Sequence, residues 1–366
     1  MTDRRGRAQE KDPGRVLIVT GSMKRGGAER VISILAGCLA ERGRDVVLLT
    51  TTSPECGYPL DERIRRRHVS GRSDGRRAGG LQIVREIRRC VREEQPGAVL
   101  SFMIPVNIAA WAATRGLDVR FIPSERNDPA AGRRLLYRLL QRRVYGDAYR
   151  VVFQSERARA YFPERIRQKG VVIPNPCEVR DAAEGPREAK IVTAGRLEPQ
   201  KNQALLIRAF ADIAPDYPAY RLEIYGEGSC EKVLSDLAGE LGVRDAVVFR
   251  GNQADLPEQI ADAAVFVLPS DFEGMSNALL EAMSLGLPCI STDCAGSDEL
   301  IRDGSNGFLI PVRDRQALAA KIRILLDSEA LRQELGRNAR QTIQQKCDPA
   351  KIADRWEALL PETVKR

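Results

Sequence analysis

The feature that most constrains this chain is a rhythm: short, unbroken apolar runs alternate with stretches of helical spacing, and the series occurs twice. Val16-Leu-Ile-Val-Thr20, Asp45-Val-Val-Leu-Leu-Thr50, Ala98-Val-Leu-Ser-Phe102, Phe121-Ile-Pro123 and Arg150-Val-Val-Phe153 make up the first series. Lys190-Ile-Val-Thr193, Tyr220-Arg-Leu-Glu-Ile-Tyr225, Ala246-Val-Val-Phe249, Val265-Phe-Val-Leu268 and Pro288-Cys-Ile-Ser291 make up the second. A strand that is apolar on both faces needs cover on both, which is the situation of a parallel sheet with helices above and below. The alternation predicts an α/β chain with two doubly wound, Rossmann-like sheets. Helical spacing is read at Glu29–Glu41, Gln203–Ile213, Gln259–Ala263 and 277–285.

A chain of 366 residues suits two domains. The polar stretch Glu178–Glu188 separates the two series. We expect a disordered leader over 1–14, a first domain over 15–177 and a second over 189–345. In the terminal segment 346–366, Pro349–Leu360 reads as an amphipathic helix crossing back to the first domain, with Ile352, Trp356, Leu359 and Leu360 on one side. Several function classes drop out. No run of about 18 apolar residues is present to span a bilayer, and the charged residues 1–14 do not read as a signal peptide. His68 is the single histidine, which removes most His-centred triads and multi-His metal sites. The eight cysteines include no C-x-x-C pair and read as reduced, cytoplasmic thiols.

The richest candidate site follows the apolar run Val265–Leu268. There, Ser270-Asp-Phe-Glu273-Gly-Met-Ser-Asn277-Ala-Leu-Leu-Glu281 leads from a loop into a helix. Open α/β sheets bind ligands at the carboxyl ends of their strands. Gly274 permits close backbone approach, and Ser276 is placed as the N-cap. A helix that starts there aims free N–H groups and a positive dipole end into the crevice, which suits phosphate. Glu273 and Glu281 would reach it from different depths, and a carboxylate accepts from two vicinal hydroxyls, as on a sugar or ribose. The second constellation is Thr193-Ala-Gly195-Arg196-Leu-Glu-Pro-Gln-Lys201-Asn202. Its two cations on a strand-to-helix loop suit a diphosphate, Arg as a fork and Lys as a point charge. Gly26-Gly27-Ala-Glu29 and Gly226-Glu-Gly228 are weaker signals. The first has neither the dinucleotide nor the P-loop spacing.

Taken together and in order, Gly26-Gly-Ala-Glu29, Ile173-Pro-Asn-Pro176, Gly195-Arg-Leu with Lys201-Asn202, Gly226-Glu-Gly228 and the Glu273/Glu281 pair resemble the family 4 glycosyltransferases, retaining enzymes of the GT-B fold. The resemblance runs from about residue 15 to 360. The wording of Ser124-Glu-Arg-Asn-Asp-Pro129 and Glu273-Gly-Met-Ser-Asn-Ala is similar to members that extend lipid-linked oligosaccharides for bacterial polysaccharides and glycoproteins. It implies transfer of a hexose or N-acetylhexosamine from a nucleotide sugar, UDP foremost, to a lipid-diphosphate-linked or other glycan acceptor. Arg196 and Lys201 would hold the diphosphate and stabilise the leaving group in place of a metal, consistent with the absence of any D-x-D. Glu281 would grip the ribose and Glu273 the transferred sugar, beside the backbone of Gly195, Gly226, Gly274, Met275, Ser276 and Asn277. Gly26, Gly27, Glu125 and Asn175 would border the acceptor. Relatives often carry a histidine after a first-domain strand, where this chain reads Phe121-Ile-Pro-Ser124-Glu125. No cofactor or metal is implied. A UDP-sugar epimerase of the same shape and a non-catalytic anion binder are the alternatives.

The formal charge is +8, with 58 Lys and Arg against 50 acids. Arginines crowd 63–92 (Arg63, Arg65, Arg66, Arg67, Arg72, Arg76, Arg77, Arg85, Arg88, Arg89, Arg92), and Arg133–Arg143 mixes arginine with Leu135, Leu136, Tyr137, Leu139 and Leu140. A basic amphipathic surface suits an anionic membrane, so peripheral contact at the inner face of the cell membrane is expected. The competing reading packs these leucines into a core. Nucleic acid is not an expected partner, since no interleaved aromatics accompany the charge.

Overall fold

The structure is a computed structural model that describes residues 12–69, 79–131, 135–180, 187–253 and 255–362. The chain divides into two compact units. One runs to Pro176 and resumes at Pro349, and the other is Cys177–Asp348.

The first unit is built on seven parallel strands. These are β1 Asp12–Thr20, β2 Val46–Thr50, β3 Arg65–His68, β4 Pro96–Phe102, β5 Arg120–Ser124, β6 Val151–Phe153 and β7 Gly170–Val172, in the order β3-β2-β1-β4-β5-β6-β7. Alternation along β1 shows why its apolar run is unbroken. Val16 and Ile18 enter one core with Ile32, Leu35 and Leu39 of helix Gly27–Glu41. Leu17 and Val19 enter the core on the other face with Ile87, Val91, Val106 and Tyr145. The second unit has six parallel strands, β8 Glu188–Ala194, β9 Arg221–Tyr225, β10 Val247–Gly251, β11 Ala263–Leu268, β12 Cys289–Thr292 and β13 Phe308–Ile310, in the order β10-β9-β8-β11-β12-β13. Here too the faces divide, with Val265 and Val267 against Leu206 and Phe210, and Phe266 and Leu268 against Leu279, Leu280 and Met283.

The terminal helix, Pro349–Glu357, completes the first unit. Ile352, Trp356, Leu359 and Leu360 lie in the same core as Val16 and Ile18. Three arginines hold it from outside. Arg42 Nη1 donates to Glu357 at 3.0 Å, Arg44 Nε to Glu357 at 3.0 Å, and Arg120 Nη1 to the Leu359 carbonyl at 3.2 Å. Where the chain enters and leaves the second unit, the Cys177 N–H donates to the Cys347 carbonyl at 2.8 Å.

Some sequence expectations need correcting. Residues 12–14 belong to β1 rather than to a leader, and residues 1–11 lie outside the described residues. The helix expected at Gln259–Ala263 spans Leu256–Ile260, where Pro257 sits in the first turn, and Ala263 already opens β11. None of the eight cysteines forms a disulfide, in line with the reading of reduced thiols.

Candidate active site

In the second unit two loops are stitched together at the carboxyl end of the sheet, one after β8 and one after β11. The Asp271 N–H donates to the Gln200 carbonyl at 2.9 Å, and Gln200 Nε2 donates to the Phe272 carbonyl at 2.8 Å. Asn202 Nδ2 donates to Asp271 Oδ1 at 2.8 Å, while Arg313 Nε takes Asp271 Oδ2 at 3.0 Å. These contacts bring Lys201 against Glu273 as an ion pair, with side chains 15% and 8% exposed. Glu273 Oε1 also accepts from Ser270 Oγ at 2.7 Å. Lys201 is the last residue of a single 3-10 turn, after which Asn202, in the left-handed region at φ 45°, caps helix Gln203–Ile213. Arg196 lies on the same loop, exposed, and among the described residues its guanidinium carries no hydrogen bond or ion pair. A largely buried cation–carboxylate pair on the same loop as an exposed arginine is an arrangement that could hold a polyanion.

Gly226, after β9, allows the loops to pack this closely. A Cβ there would stand 2.0 Å from the Gly195 carbonyl oxygen. The loop after β12 is pressed in the same way, and a Cβ on Gly296 would meet the Gly274 oxygen at 1.8 Å. Beyond Gly274 and the buried Met275, Ser276 caps helix Asn277–Ser284 by accepting from the Leu279 N–H. Glu281 is 5% exposed on that helix, within electrostatic reach of Arg180, whose guanidinium holds Asp255 at 2.9 Å. A helix N-terminus with its positive dipole end and two buried carboxylates thus lie at the carboxyl end of one sheet, an arrangement that can hold phosphate and hydroxyl groups together.

The sequence alone assigns no role to Ser270, Asp271, Gly296 or Arg313. The first two stand inside the quoted motif, but their partners come from the loop after β8. Arg313 follows β13, a strand of three residues with no sequence signal of its own.

The first-unit candidates also sit at strand carboxyl ends. Gly26 precedes helix Gly27–Glu41, and its N–H donates to Tyr58 Oη at 3.2 Å; Gly27 is exposed. Glu125 is buried and committed: Oε1 accepts from the Asn127 N–H at 3.2 Å, and Oε2 from Tyr145 at 2.9 Å and from Gln141. Burial and the neighbouring Glu125 push the Tyr145 hydroxyl well above its ordinary pKa. Asn175 is buried too, accepting from Arg126 and Gln154.

The arginine-rich surface divides in two. Much of the 63–92 run is neutralised by acids distant in sequence. Arg65 pairs with Asp45 and Glu94 at 3.0 and 2.8 Å, and Arg67 with Glu94 at 2.9 Å and Glu93 at 2.5 Å. Arg72, Arg76, Arg77 and Arg133 lie outside the described residues. On helix Leu135–Asp147 the leucines do not form core: Leu135, Leu136 and Leu139 are 68%, 75% and 54% exposed, and Gln141, Val144 and Tyr145 form the buried side.

Comparison with known proteins agrees with this division of the chain. Residues 26–176 match the family described as "Glycosyl transferase 4-like domain", and residues 178–342 the family "Glycosyl transferases group 1". A Campylobacter jejuni enzyme, GalNAc-alpha-(1->4)-GalNAc-alpha-(1->3)-diNAcBac-PP-undecaprenol alpha-1,4-N-acetyl-D-galactosaminyltransferase, is 27% identical over 360 residues, 95% of this chain and 98% of that one. An uncharacterized glycosyltransferase of Haemophilus influenzae is 23% identical over 92% of this chain and 96% of its own. Among solved structures, Anabaena HepE in complex with UDP and glucose superposes with a TM-score of 0.82 at 19% identity, covering 94% of this chain and 98% of that one. Sucrose-phosphate synthase from Thermosynechococcus elongatus does so with a TM-score of 0.82 at 18% identity over the same shares. With both halves matched in order, each on its own parallel sheet, the chain belongs to the family 4 type of glycosyltransferases and has the GT-B fold.

Proposed function

We propose that this glycosyltransferase moves a hexose or N-acetylhexosamine from a UDP-sugar to a lipid-diphosphate-linked glycan, with retention and without a metal, at the inner face of the cell membrane. The observation that carries the donor side is the Lys201–Glu273 pair beside the uncommitted Arg196. The two cations take the diphosphate and stabilise the negative charge that grows on it as the sugar leaves. Glu273 is then available to the sugar hydroxyls, and Glu281 to the ribose. The acceptor hydroxyl forms the new glycosidic bond as the bond to the diphosphate breaks, and its proton goes to the departing phosphate.

The acceptor class is supported by the Campylobacter relative, whose name specifies an undecaprenol diphosphate substrate. UDP is supported by the complexes of the Anabaena protein. Membrane contact is supported by the exposed leucines of helix Leu135–Asp147 with Arg142 beside them.

The test is titration calorimetry in EDTA with UDP, GDP and ADP, on the native chain and on Lys201→Ala. Selective UDP binding without metal that falls at least tenfold in the variant supports the reading. Equal binding by both proteins, or a strict need for a divalent ion, refutes it. Transfer is then assayed with UDP-sugars and polyprenyl-diphosphate glycans, and a UDP-sugar converted with no acceptor present would point to epimerisation instead.

A further inference from the structure

At the carboxyl end of the first sheet one charged group is left short of partners. Arg126, two residues beyond β5, is 7% exposed. Its Nη1 donates to Asn175 Oδ1 at 2.8 Å, an oxygen that also accepts from Gln154 Nε2 at 2.7 Å. Its Nε and Nη2 are buried with no hydrogen-bond partner. The guanidinium lies over the ring of Phe102, 4.9 Å from the centroid, with the ring of Trp356 at 5.9 Å. Trp356 Nε1 is buried and unpartnered as well. The adjacent carboxylate, Glu125, is taken up by Gln141, Tyr145 and the Asn127 N–H. Burial lowers the Arg126 pKa to about 9, although the field of Glu125 opposes the fall.

A buried donor left unmade costs roughly 1–3 kcal/mol, and more when it is charged. Native proteins seldom carry such groups without a use for them. Nε and Nη2 form one of the two edges with which arginine grips an oxyanion bidentately. Phe102, Arg126, Gln154 and Asn175 stand at or just beyond the ends of β4, β5, β6 and β7, where parallel sheets take their ligands. Gln154 Oε1 is buried without a partner as well, but three unmade N–H donors and one positive charge outweigh that single acceptor and fit one class of ligand, a phosphate-type oxyanion.

We propose that Arg126 is an anion ligand of the first unit, its Nε–Nη2 edge taking a phosphate oxygen of the acceptor's diphosphate. The source of that phosphate rests on the acceptor reading above. The edge is closed off beside Trp356, so an anion engages it only as ring and guanidinium part.

That separation supplies the readout. The chain has two tryptophans, so Trp111→Phe leaves Trp356 as the sole tryptophan, read by excitation at the red edge where tyrosine does not absorb. This protein, saturated with UDP to occupy the donor-side cations, is titrated with farnesyl diphosphate and, separately, with inorganic phosphate. The expected result is a saturable change in Trp356 emission with farnesyl diphosphate. Arg126→Lys, which keeps the charge and loses the fork, weakens it at least tenfold while UDP affinity stays unchanged. Arg126→Gln, checked for folding by the same UDP titration, removes it. An equal response to inorganic phosphate keeps the fork and assigns it to free phosphate. Silence of Trp356 in the parent protein, or an undiminished response in Arg126→Lys, overturns the proposal. Failure to bind UDP alongside a Trp356 response overturns the donor reading alone.

Discussion

Replacing Glu273 by Gln should tighten UDP binding and abolish transfer. Lys201 is committed to Glu273, and the two side chains are 15% and 8% exposed. A diphosphate that recruits Lys201 must draw it away from that carboxylate and come to rest close to it, negative against negative. Two unit charges about 4 Å apart interact by about 4 kcal/mol at an effective dielectric constant of ~20. Lys201 keeps part of its contact with Glu273, and Arg196 meets part of the incoming charge. Taking about a third of the full term leaves roughly 1.4 kcal/mol, or about tenfold in affinity. Gln matches Glu in size and still accepts from Ser270 Oγ, which now donates at 2.7 Å, so the loop stays in place. Calorimetric titration of UDP into both proteins, at low and high salt, measures the difference, and a transfer assay reads the lost activity. A Kd that is unchanged or larger in Glu273→Gln would refute the reasoning, because it would mean that the diphosphate does not compete for Lys201.

Three further outcomes are expected. Gly226→Ala should lower the stability of the second unit by roughly 2–4 kcal/mol and remove UDP binding, since the new Cβ falls 2.0 Å from the Gly195 oxygen; thermal melts with and without UDP check this. Changing Leu135, Leu136 and Leu139 together to Ser should cut sedimentation with phosphatidylglycerol vesicles by tenfold or more while leaving the melting temperature unmoved, because these side chains already face solvent. Glu223 supplies a pH dependence. Burial would raise its pKa, but hydrogen bonds from Arg250, Tyr225 and Arg221 outweigh that and hold it near 2 against an ordinary 4.5. Its contribution to stability is therefore present above about pH 4.5 and is lost as the pH falls toward 2. Melts of Glu223→Gln should be lower than native at pH 6 and converge with it near pH 2, and parallel curves would refute the assignment.

The interior strands were legible because an unbroken apolar run of four or five residues, too short to span a bilayer, has few other uses. Val16–Thr20 and Val265–Leu268 needed nothing beyond their own letters. β3 was not legible, since Arg65-Arg-Arg-His68 carries no apolar residue. It is a strand because Asp45, Glu93 and Glu94 lie where its guanidinium groups can reach them, and that proximity exists only after folding. The same contacts explain why the arginine run looked like a free basic surface. In the candidate site Lys201 and Glu273 were singled out separately. The contact between them depends on Asp271 and Gln200, which join loops 70 residues apart in sequence, and no local pattern encodes that. Arg126 carries no sequence signal, because only the commitments of Glu125 and Asn175 show that its donors are unspent.

The return of the terminal helix also bears on how the protein is made. The first unit leaves its own sequence at Pro176 and recovers it only at Pro349, and Trp356, fully buried in its core, is among the last of its core residues to be synthesised. At about 5–20 residues per second on the ribosome, the nascent first sheet waits roughly nine to thirty-five seconds with the ledge meant for Ile352 and Trp356 bare. The second unit, one uninterrupted stretch, has every residue it needs before that wait is over. A chain stalled or cleaved shortly before Pro349 would then carry a finished second unit and an unsealed first, a natural client for chaperones and proteases.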